Sequence, residues 1–541
     1  MRSPRIKPTI GAVLIVFILL LQNFRAGTAM SADYWPTDGW RHSSPEDQGV
    51  AAEPLADLLA EIHEYRYRID SVTVVRNGYL VLDSYFSPFE KGLKHIIHSD
   101  TKSFMSALIG IALDRGEIES VTQPVTGFFP GRVVANMDAR KRSMTLEHLL
   151  TMTAGFDCKD SYRHRWVGLW EMRRSPDWAQ HVLDLPMARE PGRLFDYCNG
   201  VSFLLSAILQ QATGTSALDY ARKHLFGPLG ISDVAWPESP KGLSVGYGEM
   251  WLRPHDMAKF GWLYLNKGKW ADRQIVSEAW VERSTRRHTD ATLFDHYGYQ
   301  WWRDASGYYM AVGYRGQFIF VVPRKNLVAV FTSDLDGAKF KVPRDLLTRH
   351  IIPAARSETA LPADQAQQAR LRELVKKTTI GPVEDIMWRS AEDGIVRDGG
   401  FLRTAAPGFK FSVPFGSRKM PLSTPNQVMR MQSPSGVRFG ASVAEIPAGV
   451  ALSDVGPRTY AGFLKALAKD VTVAGNRRIV LDDGTPAYKT ELKWRYQGLD
   501  LTTHLVSVFR EGKWIYLAAH PWREFNDAAD IVGSLSFKRS N

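Results

Sequence analysis

The sequence predicts an α+β fold, with one antiparallel sheet covered by helices. Three observations predict it. Ser71–Val75 and Leu80–Tyr85 are β-rich runs around Arg76-Asn77-Gly78, a hairpin signal. Met310–Gly313, Phe318–Val322 and Leu327–Thr332 read as further strands far along the chain. The stretch between them has helical periodicity, so this part opens and closes with strands and holds its helices in the middle.

The N-terminus reads as a targeting segment. Arg2, Arg5 and Lys7 precede an apolar run from Ile10 to Leu21, and Ala26-Gly27-Thr28-Ala29 offers small residues for cleavage. Residues 1–29 are therefore expected to be a signal peptide that sends the chain to the periplasm or outside the cell. The alternative is an uncleaved anchor, for which the run is short, since a bilayer span needs about 20 residues. In an oxidising compartment Cys158 and Cys198 can form one disulfide; two buried free thiols are the other reading, and the sequence leaves both open.

Apolar residues at Leu55, Leu58, Leu59 and Ile62 predict a helix over residues 50–66. A second helix is expected from Thr101 to about Arg115, with Gly116 placed to stop it. Met144–Met152 and Val201–Thr213 read as further helices, the latter ending at Gly214. Residues 356–368 are rich in Ala, Pro and Gln and read as a linker between a first domain at 40–355 and a module at 369–541. That module is expected to be a smaller α+β domain. Its strands are read at Phe409–Val413, Gly436–Glu445, Ala487–Tyr496, Thr502–Arg510 and Lys513–His520, and its helices at Tyr460–Asp470 and Asn526–Gly533.

The chain has 541 residues, 44% hydrophobic and 23% charged, an ordinary globular balance that argues against disorder. Of the net charge of +11, residues 361–541 hold 25 Lys/Arg against 18 Asp/Glu, so the first domain is close to neutral. A basic exported module can lean on cell-wall polymer or an anionic membrane surface. No basic stripe interleaved with aromatics appears, so no nucleic-acid partner is expected. HExxH, CxxC and Walker-type glycines are absent, and neither a metal nor a cofactor is implied.

The chemistry is expected at His98-Ser99-Asp100-Thr101-Lys102, where an apolar helix opens. A serine needs a base beside it to act as a nucleophile. Lys102, three residues on, lies one helical turn away on the same face. The helix start adds backbone N–H groups and positive potential, and the Ser99 amide can point at an oxyanion. Phe195-Asp196-Tyr197-Cys198-Asn199-Gly200 precedes the helix from Val201. A phenol facing a lysine ammonium can take the serine proton and pass it on, which suits Tyr197, and Asn199 can hold the lysine or a substrate amide. A second such pattern, Tyr264-Leu265-Asn266, sits in an amphipathic stretch and reads as core. Gly313 brackets a strand edge in Val312-Gly313-Tyr314-Arg315-Gly316, and the Tyr314 amide is a candidate second oxyanion donor. Gly242-Leu243-Ser244-Val245-Gly246 matches GxSxG, but that motif needs a strand before it and a helix after it, and Pro240 and Pro254 flank it instead. Trp166, Trp170, Tyr247, Trp251, Trp301 and Tyr314 are candidates to line an aromatic acyl pocket.

In the order and spacing of these three elements the chain resembles the serine β-lactamase-related family. That family spans class C β-lactamases, low-molecular-weight penicillin-binding proteins, family VIII esterases and 6-aminohexanoate-dimer hydrolase. The Pro45-Glu46-Asp47-Gln48-Gly49, Thr145-Leu146-Glu147-His148-Leu149-Leu150 and Pro254-His255-Asp256-Met257-Ala258-Lys259 stretches resemble it too. The resemblance implies a β-lactamase/transpeptidase-like sheet with helices on both faces and a helical subdomain. It implies that Ser99 is acylated, Lys102 activates it, Tyr197 relays the proton, Asn199 supports the site and the Ser99 and Tyr314 amides bind the oxyanion. Family members that hydrolyse β-lactams or peptides carry Lys-Thr-Gly at the third motif, where this chain has Ala311-Val312-Gly313. The carboxylate-receiving cation is missing unless Arg315 supplies it. The expected activity is therefore an esterase or amidase acting on a small-molecule substrate. A β-lactamase or D-Ala-D-Ala carboxypeptidase is the alternative, and a non-catalytic cell-wall sensor is the alternative of another class. The C-terminal part more faintly resembles PsbP-like modules at Pro407-Gly408-Phe409 and Gly484-Thr485-Pro486, which implies a docking role.

Overall fold

The structure is a computed structural model that describes residues 34–380, apart from 87–88, 161–165, 292, 336 and 338, and much of 395–520 with 536–537. The expected signal peptide and the expected helix Asn526–Gly533 lie outside the described residues. Among the described residues no helix is long and apolar enough to cross a membrane.

A nine-stranded sheet organises the first domain. Its strands are β1 (Arg41–His42), β2 (Ile69–Arg76), β3 (Tyr79–Tyr85), β4 (Thr289–Asp290), β5 (His296–Tyr297), β6 (Trp302–Arg303), β7 (Tyr309–Gly313), β8 (Gln317–Val322) and β9 (Leu327–Ser333). Their order across the sheet is β1-β3-β2-β9-β8-β7-β6-β5-β4. The N-terminal hairpin thus joins the late strands through β2 and β9, where Val74 stands opposite Ala329. Only β1 runs parallel to its neighbour, pairing Arg41 with Tyr79. The predicted hairpin forms because Asn77 and Gly78 both take positive φ, 52° and 84°, the conformation a two-residue turn between twisted strands requires. Every residue of β2, β8 and β9 is buried. Successive side chains point to opposite faces, so both faces of the sheet are covered.

Five helices matter for the site: α1 (Ala52–Glu64), α2 (Thr101–Asp114), α3 (Val167–Arg174), α4 (Asn199–Thr213) and α5 (Pro254–Leu265). Of them, α1, α2 and α4 fall on stretches read as helical from the sequence. Leu55, Leu58, Leu59 and Ile62 of α1 are all buried. α5 packs on β2, β8 and β9, and α2 reaches it through Phe104 and Phe260, whose rings stack 3.7 Å apart. A buried glutamine joins α2 to α4. Ser103 donates to the Gln300 carbonyl at 2.7 Å and Ser202 to its Oε1 at 2.6 Å. The expected helix Met144–Met152 is shorter, Leu146–Leu150, because Thr145 caps it together with His148.

Residues 356–361 run along the Glu46–Gly49 turn, with Arg356 N–H on the Gly49 carbonyl at 3.0 Å and Leu361 N–H on the Glu46 carbonyl at 2.8 Å. α6 (Gln365–Ile380) follows and packs on α1 and β3, with the Ser84 and Thr378 hydroxyls 3.0 Å apart. Beyond it stands a second sheet of seven antiparallel strands: β10 (Arg418–Lys419), β11 (Gln427–Gln432), β12 (Arg438–Glu445), β13 (Lys469–Val480), β14 (Pro486–Tyr496), β15 (Leu499–Arg510) and β16 (Lys513–His520). Its order is β10-β11-β12-β16-β15-β14-β13. Tyr460, Leu464, Leu492, Trp494, Leu505 and Trp514 form its core. The helix expected over Tyr460–Asp470 is corrected here: it ends at Lys465, and Lys469 opens β13. That strand carries mostly exposed side chains, so it lacks the alternation that marks a strand in a sequence.

Candidate active site

The turn His98–Asp100 leads straight into α2, so Ser99 stands one turn before Lys102 on the same helix face. Ser99 is half-buried, open to a substrate on one side. Lys102 is 2% exposed. Its Nζ lies 3.0 Å from Ser99 Oγ, 2.8 Å from Asn199 Oδ1 and 2.6 Å from the Tyr247 carbonyl oxygen. Tyr197 Oη donates to Ser99 Oγ at 2.9 Å, and Lys102 Nζ lies 4.9 Å from the centre of the Tyr197 ring. The structure therefore brings four of the predicted residues, Ser99, Lys102, Tyr197 and Asn199, into one hydrogen-bonded cluster.

Burial drives the electrostatics of the cluster. Removing the Lys102 ammonium from water holds its pKa well below the ordinary lysine value, and the nearby Asp160 carboxylate opposes that only in part. A neutral lysine has two N–H bonds and one lone pair. Asn199 Oδ1 and the Tyr247 carbonyl can only accept, so two positions on Nζ are held there and the remaining one faces Ser99 Oγ.

The third motif lies against the same turn. A Cβ on Gly313 would fall 2.3 Å from the Ile97 carbonyl oxygen, so only glycine lets the end of β7 approach the chain this closely. Tyr314 is 40% exposed, and its ring meets His98 edge-on at 5.6 Å. Arg315 is committed elsewhere. Its guanidinium pairs with Asp334, a buried carboxylate that Arg68 also holds. That ion pair engages the guanidinium that a substrate carboxylate would need.

The aromatic candidates divide. Trp166 meets the Tyr197 ring edge-on at 6.4 Å, and Tyr247 lies under Lys102 with its ring centre 5.8 Å from Nζ. Trp170 packs beside Arg173. Trp301 is fully buried against Phe260 and Tyr264, and Trp251 is 3% exposed, so these two are core. Tyr264 of the competing Tyr-x-Asn pattern is core as well. Ser244 of the GxSxG match is 0% exposed, and its Oγ accepts the Leu218 N–H at 3.3 Å.

Sequence reasoning missed two acids. Asp160 is 2% exposed and accepts the Asn199 N–H at 2.8 Å and the Leu169 N–H at 2.5 Å. Burial pushes its carboxyl up to about 6, against those hydrogen bonds. The available signal was its place two residues after Cys158, whose partner stands inside Tyr197-Cys198-Asn199. The structure joins Cys158 to Cys198 in a disulfide, with Cα atoms 5.9 Å apart. Asp100, next to Ser99, is 0% exposed, and burial pushes its carboxyl well above the ordinary range. Trp302 was missed too; it stacks on Tyr197 at 6.2 Å.

The model of the Beta-lactamase family matches residues 55–351, more than half of the chain. The chain belongs to that family, and with it to the hydrolases of the serine acyl-enzyme type. The 6-aminohexanoate-dimer hydrolase of Paenarthrobacter ureafaciens is 23% identical over 309 residues, which is 53% of this chain and 79% of that protein. Among solved structures, a penicillin-binding protein homolog from Caulobacter crescentus shares 16% identity at a TM-score of 0.45, over 56% of this chain and 97% of its own. EstCE1, a hydrolase with promiscuous acyltransferase activity, shares 16% at 0.47, over 57% and 99%.

Proposed function

We propose that this protein hydrolyses a small ester or amide without a free carboxylate beside the scissile bond, through an acyl intermediate on Ser99. One observation carries the reading: Lys102 Nζ and Tyr197 Oη converge on Ser99 Oγ, at 3.0 and 2.9 Å. Neutral Lys102 accepts the serine proton as Oγ attacks the carbonyl carbon. Lys102 and Tyr197 act as one acid–base unit, and through Tyr197 the proton reaches the leaving alcohol or amine. The Ser99 and Tyr314 amides are the donors assigned to the oxyanion, a contribution of several kcal/mol in acyl transfer. Water then attacks the acyl carbon, the same unit takes its proton, and Ser99 is released.

The substrate class rests on the third motif. Ala311 stands where the lysine of Lys-Thr-Gly would be expected, and Arg315 is paired with Asp334. Trp166 and Trp302 around Tyr197 favour an apolar or aromatic acyl group. The disulfide suits the exported location that residues 1–29 predict. Turnover of 4-nitrophenyl butyrate and of benzylpenicillin by the purified protein tests the proposal. Saturable ester hydrolysis that far exceeds penicillin hydrolysis is expected. Penicillin turnover at the higher kcat/KM would replace this reading with a β-lactamase.

A further inference from the structure

The Cys158–Cys198 bridge is placed where it bears on the chemistry. Cys198 is the residue between Tyr197 and Asn199, so its neighbours on either side are the two groups that reach Ser99 and Lys102. Its partner begins the segment Cys158-Lys159-Asp160, and Asp160 returns to the same place by accepting the Asn199 N–H at 2.8 Å. The loop is thus fastened to the Tyr197–Asn199 segment twice within three residues, once covalently and once through a buried carboxylate.

The other side of the loop is fixed as well. The second Asp160 oxygen accepts the Leu169 N–H, in the first turn of α3. A Cβ on Gly168 would stand 1.8 Å from the Cys158 carbonyl oxygen and 3.0 Å from Asp160 Oδ1, so α3 sits directly against the loop. Cys158, Asp160 and Cys198 are buried, with their side-chain donor atoms within 4.8 Å of one another. In a metal site those atoms would face a shared ion. Here the sulfurs are joined to each other and both carboxylate oxygens accept backbone N–H groups, so the cluster is a brace.

We propose that the Cys158–Cys198 bridge, with Asp160 beside it, is the positioning element for the Tyr197–Asn199 side of the site, so that Ser99 reacts in the oxidised protein and slows when the bridge is reduced. This rests on the serine-hydrolase reading above. The chemistry of the switch needs a dithiol. One reagent thiolate attacks a bridge sulfur, the S–S bond breaks, and the departing cysteine thiolate takes a proton. The second reagent thiol displaces the other cysteine and closes the reagent into a cyclic disulfide. Two electrons pass to the bridge, and two protons end on Cys158 and Cys198. With the bridge open, the Asp160–Asn199 hydrogen bond is left as the remaining one of those two ties, and a displacement of about 1 Å in a catalytic group can cost 100-fold in rate.

The test measures the rate at which a fluorophosphonate probe labels Ser99 in the full chain. Oxidised wild type, dithiothreitol-reduced wild type and the Cys158→Ser/Cys198→Ser double variant are compared, with near-UV circular dichroism on each. Free thiols are counted by mass. Reduction is expected to slow labelling about tenfold or more, with re-oxidation restoring it. The double variant is expected to be equally slow, indifferent to dithiothreitol and still folded, and it carries the test if the buried bridge resists the reagent. Equal labelling rates with and without the bridge overturn the proposal. Slow labelling accompanied by loss of the near-UV signal overturns it too, because the bridge would then staple the fold and not the site. Labelling at Ser99 that ignores thiol state leaves the serine-hydrolase reading intact, whereas an oxidised protein that takes no label overturns both.

Discussion

Ser99 and Ser244 each stand in a nucleophile motif, Ser99-x-x-Lys102 and Gly242-x-Ser244-x-Gly246. Around Ser99 three elements distant in sequence converge: the start of α2, the start of α4 and the end of β7. Its hydroxyl is half-open and meets a desolvated amine and a phenol. Ser244 has no such company. It is sealed from solvent, its Oγ takes a backbone N–H and its carbonyl accepts Ser206 Oγ at 2.8 Å. Gly246 is explained by packing, since a Cβ there would meet the Ser202 carbonyl oxygen at 2.8 Å. A nucleophile is made by what reaches it, and only one of the two serines is reached by a base.

Replacing each serine by alanine should break the comparison open with the largest effect. Ser99→Ala is expected to lower ester kcat/KM by at least ~10³-fold. Ser244→Ala should leave kcat/KM unchanged and cost about 1 kcal/mol of stability through its lost hydrogen bond. Next in size is Lys102→Met, expected to lower the rate ~10²–10⁴-fold. In wild type the rate should rise with pH as Lys102 loses its proton and level off above its lowered pKa, well short of the ordinary lysine value near 10.5. A pH–rate profile checks this, and a rate that levels off only above the ordinary lysine value near 10.5 would count against a desolvated Lys102 as the base.

The two tyrosines sharpen the same contrast. Tyr197→Phe should cost roughly 10²-fold in kcat by the same acid–base argument, while Tyr264→Phe, deep in the core, should leave kcat unchanged. The smallest effect is expected in stability. Burial raises the Asp100 carboxyl in the folded state, so folding favours its protonated form. That contribution is full below the unfolded value of about 4 and is lost as pH rises toward the folded one. Asp100→Asn, which cannot ionise, should therefore melt higher relative to wild type at pH 7 than at pH 4. Melting curves at the two pH values measure it, and a difference that shrinks with pH contradicts the account.

The legible parts of the molecule are those where a local pattern and its tertiary use agree. The 69–85 hairpin, α1, α2 and α4 carry their own turn, cap and periodicity signals, and all four form. The Ser99, Lys102 and Tyr197 cluster was legible because helix spacing fixes the first two and the Tyr-x-Asn pattern supplies the third. Asp160 was not, because it acts through backbone N–H groups of α3 and α4, which carry no residue identity. The Tyr247 carbonyl escaped for the same reason. The Arg315–Asp334 ion pair was not legible, since two strands separate the partners along the chain. In the C-terminal sheet β13 escaped because its exposed Asn476, Arg477 and Arg478 break the alternation.

The most direct test of the central claim is peptide mapping after fluorophosphonate treatment of the oxidised, full-length protein. The account predicts a single adduct on the peptide containing Ser99, absent from Ser99→Ala and present in Ser244→Ala. An adduct that survives Ser99→Ala, or that maps to Ser244, would contradict it.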